Sequence, residues 1–187
     1  GIVLGAGMVS LFGFTSAPVL GSFAVGIVCL AAYIKRQLSI KVPVLDLHVF
    51  TYQGYRVGVM CLMLNFGITL AAMYVLPQFY QNAMLIAVAA AGVLMLPGGL
   101  INAAVSVAAG TLFDRFGARG PVSIGFACSA LASAMLMIAT PETPIWYMVA
   151  CHIIMMIGVP LAMSPCQTHA LASIPPQLNS DGSTIMN

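Results

Sequence analysis

The sequence has very little charge. Of its 187 residues only six are Lys or Arg and four are Asp or Glu, so charged residues make up 5% of the chain, against about 25% in soluble globular domains. A net charge of +2 is too small to indicate a nucleic-acid partner, because a phosphate backbone is bound by clusters of Lys and Arg. The composition argues against an ordinary soluble domain.

Paired cysteines and catalytic motifs are also missing. The five cysteines are scattered through apolar stretches without a Cys-x-x-Cys pair. An odd, dispersed set argues against a disulfide framework or a metal site, and small apolar filler is the role we expect. There is no HExxH motif, no pair of carboxylates, no Ser/His/Asp order and no phosphate-binding glycine loop. We therefore predict a protein that is not an enzyme and needs no cofactor or metal.

Apolar residues make up 61% of the chain, and the mean hydropathy is +1.05. A membrane-spanning helix needs about 20 apolar residues at about 1.5 Å of rise each. The sequence contains the tail of one such helix at 1–14 and five further spans, at 19–34, 57–80, 83–113, 121–140 and 144 to about 164. The predicted fold class is an all-α integral membrane bundle with five full spans and one partial span. Because apolar runs also lie at both ends, we expect a piece of a longer protein.

The basic residues predict an orientation. They fall in two loops separated by two spans, namely Lys35, Arg36, Lys41 and Arg56 in one and Arg115 and Arg119 in the other. The loops on the opposite side contain no Lys or Arg. The positive-inside rule therefore places loops 35–56 and 114–120 in the cytoplasm. We predict a multi-pass protein of the inner or plasma membrane, embedded in the lipid bilayer.

The stretch 35–56 mixes charged and apolar residues, and Pro43 interrupts it. Such a mixture suits a short helix at the inner membrane interface. It is either an ordinary amphipathic connector or a hinge between two bundles. We divide the chain accordingly into a partial and a full span at 1–34, a cytoplasmic interfacial connector at 35–56 and a bundle at 57–187.

Polar residues recur on one face of two spans. Asn65 and Thr69 lie four residues apart in one span, and Asn102 and Ser106 do so in the next. Since hydrocarbon penalises polar side chains, this face turns towards protein or water. Either close helix packing or a solvated substrate path accounts for it. The cluster Leu96–Gly99, with its proline and glycines, is expected to kink the second of these helices.

His152 is the ionisable residue placed most clearly inside a span. Four methionines fall on its side at helical spacing, namely Met148, Met155, Met156 and Met163. Flexible, polarisable methionines with one imidazole can line a cavity for varied hydrophobic substrates. Alternatively, His152 only forms a hydrogen bond to a neighbouring helix. The candidate substrate path consists of Asn65, Thr69, Asn102, Ser106, His152 and Met155.

Oppositely charged residues are adjacent only in the segment Gly110-Thr-Leu-Phe-Asp-Arg-Phe-Gly-Ala-Arg119, a short polar turn between two apolar helices. The segment resembles the cytoplasmic signature loop of the major facilitator superfamily, Gly-x-Leu-x-Asp-Arg-x-Gly-Arg-Arg. The matching positions are Gly110, Leu112, Asp114, Arg115, Gly117 and Arg119. Ala118 replaces one basic residue, and this departure is similar to the weaker copy in the C-terminal half of such transporters.

Five segments, one of them within the signature loop, resemble one branch of that superfamily, the fourteen-span drug:proton antiporters of the EmrB/QacA type and their lincomycin-resistance (LmrB-like) members. The segments are Pro43–Leu47, Leu76–Asn82, Leu96–Gly99, Leu112–Arg119 and Leu171–Gln177. The resemblance implies that 57–187 forms the first four helices of the C-terminal six-helix bundle, truncated at the start of the fifth. Residues 1–34 would then belong to the extra helix pair between the two bundles.

The resemblance also implies a function. Such proteins export hydrophobic or cationic small molecules by alternating access, driven by protons, with the substrate held between two bundles. The proton-coupling carboxylates would lie outside this chain, because its spans contain no Asp or Glu well inside the bilayer. Two alternatives stay open, a major facilitator for a defined small polar solute and a non-transporting membrane scaffold.

In such a transporter the signature loop would act as a conformational latch formed by Gly110, Asp114, Arg115, Gly117 and Arg119. Asp114 would accept hydrogen bonds from the free N–H groups of the following helix and interact with its positive end. The arginines would pair with acidic or carbonyl partners on neighbouring helices. The alternative is a plain positive-inside anchor with a tight turn at Gly117.

Overall fold

The computed structural model describes residues 2–13, 15–40 and 45–186. These ranges contain seven α-helices and no β-strand. The helices are α1 (Ile2–Phe12), α2 (Ala17–Ser39), α3 (Gln53–Gln78), α4 (Val88–Phe116), α5 (Arg119–Met137), α6 (Ile145–Ala172) and α7 (Asn179–Met186). Short 3₁₀ helices lie at Leu47–Thr51 and Pro176–Leu178, and a π turn at Phe79–Ala83 follows α3.

Within the described residues, five helices are long and apolar enough to cross a membrane. They are Ala17–Ser39, Gln53–Ala83, Val88–Phe116, Arg119–Met137 and Ile145–Ala172. The predicted all-α fold with five full spans is confirmed. The shorter α1 occupies the place of the partial span.

Helix α2 is longer than the sequence predicts. It runs to Ser39 and includes Lys35 and Arg36, which the sequence places in the connector. Both residue types are good helix formers, and their long side chains can carry the charge towards polar surroundings, so they do not end the helix. Because α3 also begins early, at Gln53, the non-helical part of the connector is shorter than 35–56.

The connection between α3 and α4 also differs from the prediction. The π turn at Phe79–Ala83 prolongs α3, so α4 begins at Val88 and not at Ala83. Helix α4 is continuous through Pro97, and the expected kink at Leu96–Gly99 stays a prediction. Proline lacks an amide hydrogen, so Pro97 removes one backbone hydrogen bond from α4. Membrane helices tolerate such a loss because their other backbone hydrogen bonds remain within the helix.

Helix α6 is the centre of the bundle and packs against α3, α4 and α5. In an apolar 18-residue stretch of α6, 56% of the residues are buried, against 28% or less in such a stretch of each other described span. An apolar helix without a polar face belongs in an interior. The helix continues to Ala172 rather than ending near Ser164, and Pro160 and Pro165 both lie within it.

Small residues bring α5 and α6 close together. A Cβ atom built on Gly125 would lie 2.6 Å from the amide nitrogen of Ala162 and 2.7 Å from the carbonyl oxygen of Gly158. A Cβ atom built on Gly158 would lie 2.6 Å from Oγ of Ser129. Backbone therefore packs against backbone at this crossing, as is common between membrane helices.

The described part of the connector is folded onto the bundle. Asp46 caps the first 3₁₀ helix, since its carboxylate accepts a hydrogen bond from the His48 amide at 2.9 Å and lies 2.6 Å from Nδ1 of His48. These bonds hold the pKa of Asp46 below its ordinary value. Val49 and Tyr55 are fully buried in one cluster. The Tyr55 hydroxyl donates to the Gly182 carbonyl at 2.8 Å, so the connector, α3 and α7 meet at one end of the bundle.

The last helix of the described residues is short. Helix α7 begins at Asn179. Asp181 lies in its first turn, where a negative charge interacts favourably with the helix dipole. The division into 1–34, 35–56 and 57–187 stays a prediction, and Pro43 lies outside the described residues.

Candidate functional site

A groove of about 350 Å³ lies between α3, α4 and α6. We call it the His152 groove. Among the described residues its lining is mostly apolar and includes no charged Asp, Glu, Lys or Arg. The lining residues are Phe66, Thr69, Met73, Met95, Gly99, Asn102, His152, Met156, Val159 and Met163. Small-molecule sites in proteins have volumes of about 300–1,000 Å³ and combine apolar walls with a few polar groups. The groove has the size and chemistry of part of such a site.

Three- and four-residue spacing places the lining residues on one face of each helix. The sets are Phe66, Thr69 and Met73 on α3, Met95, Gly99 and Asn102 on α4, and His152, Met156, Val159 and Met163 on α6. From sequence alone Phe66 and Met73 suit the lipid-facing side, yet they border the groove. Their spacing around Thr69 was the available signal, because Phe66, Thr69 and Met73 follow the i, i+3, i+7 pattern of one face.

His152 is almost enclosed, with 2% of its surface exposed. A Cβ atom on Gly98 would overlap Nδ1 and Cε1 of the imidazole, so one edge of the ring lies against the backbone of α4. Nδ1 is buried and has no hydrogen-bond partner among the described residues. His152 also borders the groove. The ring is thus held by packing rather than by a described hydrogen bond to a neighbouring helix.

Two asparagines connect neighbouring helices to α6. The Asn102 side-chain amide donates to the Met156 carbonyl at 3.3 Å, and the Asn65 amide donates to the Val159 carbonyl at 3.2 Å. Asn65 is 3% exposed and does not border the groove, so helix packing describes its position. Asn102 both contacts α6 and borders the groove.

Two hydroxyl residues of the predicted path differ in their position. The Thr69 hydroxyl donates to the Asn65 carbonyl at 2.8 Å, and Thr69 borders the groove. The Ser106 hydroxyl donates to the Asn102 carbonyl at 2.8 Å. Ser106 is exposed and does not line the groove. Of these two residues, only Thr69 borders the His152 groove.

The methionines of α6 are divided between two cavities. Met156 and Met163 border the His152 groove, whereas Met148 and Met155 border a second cavity of about 350 Å³ between α3, α5 and α6. At about 100° per residue, Met155 lies about 60° to one side of His152 and Met156 about 40° to the other. The four methionines therefore do not share one cavity in this conformation, and Met155 lies outside the groove.

The signature loop is a tight reversal. Helix α4 ends at Phe116, and Gly117 has a φ of 69°, a left-handed conformation that glycine adopts without a steric cost. The Gly117 amide donates to the Phe113 carbonyl at 2.8 Å, and α5 begins at Arg119. Gly110, two turns before the reversal, is half-buried. The loop therefore joins α4 to α5 with Gly117 and Ala118 as the residues between them.

The polar side chains of the signature loop are exposed. Asp114, Arg115 and Arg119 lie at the surface and form no ion pair within the described ranges, and no side chain caps α5. The expected cap of α5 by Asp114 is not formed in this conformation. The reason is that side chains lean towards the N-terminus of their own helix, so Asp114 leans away from α5. Arg119 borders a cavity of about 280 Å³ together with His169.

Comparison with known proteins adds a family match. The model of the Major Facilitator Superfamily matches residues 1–187. The lincomycin resistance protein LmrB of Listeria monocytogenes is 35% identical over 187 residues, 100% of this chain and 40% of that protein. LmrB of Listeria innocua is 37% identical over 175 residues, 94% of this chain and 37% of that protein. LmrB of Bacillus subtilis is 31% identical over 175 residues, 94% of this chain and 36% of that protein.

The chain therefore spans about two fifths of the length of the relatives that it matches. No solved structure gave a significant match.

Proposed function

Because the chain belongs to the major facilitator superfamily, we propose that the full-length protein exports hydrophobic or cationic small molecules across the cell membrane. Transport proceeds by alternating access and is driven by the proton gradient. The similarity to relatives named lincomycin resistance proteins supports drug export. Its structural support is the His152 groove, a mostly apolar depression in a membrane-spanning bundle.

In this proposal the His152 groove is one wall of the substrate path, and the remainder of the protein supplies the opposite wall. Met73, Met95 and Met156 give the wall a flexible, polarisable surface that suits substrates of varied shape. His152 offers a hydrogen-bonding group within that surface, and Asn102 borders it. Since no carboxylate borders the groove among the described residues, the groups that recognise cations and carry protons are assigned to the rest of the protein.

The orientation and the role of the signature loop belong to the same proposal. Loops 35–56 and 114–120 face the cytoplasm, and 57–187 contributes the first four helices of the C-terminal bundle. Asp114, Arg115 and Arg119 act in the latch by changing partners between conformations. Their exposure, without ion pairs to other described residues, leaves them free to meet groups supplied by the rest of the protein.

The full-length gene, expressed in a bacterium that lacks its own drug pumps, tests the export function. We expect cells to accumulate less ethidium and less lincomycin than cells with an empty vector, because the transporter removes both. Addition of a protonophore should abolish the difference, since the proton gradient drives export. Accumulation is measured by fluorescence for ethidium and by radiolabel for lincomycin.

Accumulation that equals the empty-vector control, with and without the protonophore, would contradict the proposal provided that the protein is present in the membrane. Higher accumulation of a small polar solute than in the control would favour an importer instead. Membrane fractionation and immunodetection supply the expression control.

A further inference from the structure

Helix α6 contains two prolines in its interior, Pro160 and Pro165. Proline has no amide hydrogen, so the carbonyl four residues earlier loses its helical donor. In α6 these carbonyls belong to Met156 and Leu161. Inside a bilayer no water replaces the missing donor, and an unsatisfied backbone carbonyl is costly.

Side-chain amides from two other helices are directed at the break at Pro160. Asn102 of α4 donates to the Met156 carbonyl at 3.3 Å, the carbonyl that Pro160 leaves without a helical donor. Asn65 of α3 donates at 3.2 Å to the carbonyl of Val159, which is bonded directly to the Pro160 nitrogen. Neither amide bonds to Leu161, the corresponding carbonyl for Pro165.

The Asn102 bond also sets the register between α4 and α6. Gly98 lies one turn before Asn102 on α4, and His152 lies one turn before Met156 on α6. Gly98 contacts the His152 ring. The contact of Gly98 with His152 and the bond of Asn102 to Met156 therefore lie one helical turn apart along the same pair of helices. A bond that holds Asn102 to Met156 therefore also holds His152 against Gly98 and fixes where the imidazole borders the groove.

We propose that Asn102 is a positioning residue that replaces the amide hydrogen missing at Pro160 and thereby fixes the shape of the His152 groove. Asn102 thus acts through the backbone of α6, whereas a direct substrate ligand would act through its own contact with the transported molecule. The consequence for transport rests on the proposed export function, but the structural part does not.

Thermal unfolding of the full-length protein in detergent tests the structural part. We expect Asn102→Leu to lower Tm by about 1–2 °C, because a loss near 1 kcal/mol shifts Tm by about 2–4 °C in a protein of 150–250 residues and by less in a longer one. In a Pro160→Ala background the same change should lower Tm by less than half as much, because the new amide at position 160 can donate to the Met156 carbonyl. Asn102→Ala replaces Asn102→Leu if the leucine variant does not fold.

Pro165→Ala is the matched control. It restores a donor for Leu161, to which Asn102 does not bond, so the effect of Asn102→Leu should be unchanged in that background. The proposal would be overturned if Asn102→Leu lowered Tm as much in the Pro160→Ala background as in the wild-type protein. It would also be overturned if Pro165→Ala reduced that decrease as much as Pro160→Ala does.

Efflux kinetics in membrane vesicles test the consequence for the groove. Asn102→Leu should raise the KM for ethidium about threefold, the factor that corresponds to about 0.6 kcal/mol for an average hydrogen bond between membrane helices. Asn102→Leu combined with Pro160→Ala should return KM towards the wild-type value. A substrate ligand would not be rescued in this way, and general destabilisation would lower the maximal rate without raising KM.

An unchanged KM in Asn102→Leu, or an increase that Pro160→Ala does not reverse, would overturn the positioning role. Absence of transport by the wild-type protein would instead contradict the export function. In that case the unfolding measurements still decide whether Asn102 serves the break at Pro160.

Discussion

Gly98 and Gly99 are neighbours in α4 with different surroundings. A Cβ atom on Gly98 would overlap the His152 ring, whereas nothing lies within 4 Å of a Cβ atom on Gly99. Gly98→Ala should destabilise the protein by about 1–3 kcal/mol, the usual cost of overpacking. Gly99→Ala should be neutral or stabilise it by up to about 1 kcal/mol, because alanine has the higher helix propensity. Denaturant unfolding of the purified protein measures both.

His152→Ala provides the control for this pair of variants. It removes the ring that the new methyl group would meet, so Gly98→Ala should cost much less in the His152→Ala background. Equal effects of alanine at Gly98 and Gly99 would show that the imidazole does not press on α4.

Gly98, Asn65 and Asn102 show which roles of a single residue can be predicted from the sequence and which require the structure. The Pro-Gly cluster at Leu96–Gly99 predicts a kink, but Gly98 serves a close approach to His152 on another helix. The sequence around Gly98 does not indicate a partner that lies on a different helix. Asn65 and Asn102 were found because a polar residue in hydrocarbon is informative by itself. The distinction between Asn65, buried in a helix contact, and Asn102, at the groove, required the structure.

At the scale of elements, the end of α4 places a carboxylate in an unfavourable position. Asp114 lies in the last turn of the helix, where the dipole favours positive charge, and it is exposed without a capping role in this conformation. We expect Asp114→Asn to insert and fold normally. Its efflux turnover should fall about tenfold or more, since a hydrogen bond to a charged group contributes about 1.5–3 kcal/mol in the conformation where Asp114 finds its partner. Initial efflux rates at saturating ethidium measure the turnover.

Glu142→Gln tests whether the loss of any exposed negative charge lowers the turnover. Glu142 is also exposed, but it lies in the turn between α5 and α6, away from the signature loop, so its neutralisation should leave turnover unchanged. Normal efflux by the Asp114→Asn variant would contradict the proposal that the signature loop is a conformational latch. An equal loss in Glu142→Gln would show that the effect is not specific to the loop.

The element boundaries were less predictable than the elements. Hydropathy located every long helix, because a bilayer imposes length and apolarity on each one. It placed the end of α6 near Ser164, although the helix runs to Ala172. The residues after Ser164 include Gln167, Thr168 and His169, whose polarity ends the apolar run but not the helix. Hydropathy therefore locates the apolar part of a helix, and the helix itself extends beyond that part.

In the molecule as a whole, composition determines the class of fold and packing determines its centre. The apolar content predicted a membrane bundle, and the motif around Asp114 predicted its family. The central position of α6 was not predictable, since the other spans are similarly apolar. Residues with no side chain or a small one decide which helices approach most closely, as at Gly125 and Gly158, and their partners are set only when the bundle forms.

The orientation in the membrane is the last property of the whole molecule that the sequence predicts. Every Lys and Arg falls on one side of the spans, and the positive-inside rule makes that side cytoplasmic. Arg119 and Glu142 lie at opposite ends of α5, and both are exposed. In a variant whose native cysteines are replaced, Arg119→Cys should react with an impermeant maleimide only after the cells are opened. Glu142→Cys should react in intact cells. The reverse pattern would place the signature loop outside, where a latch that closes the cytoplasmic end of the path could not act.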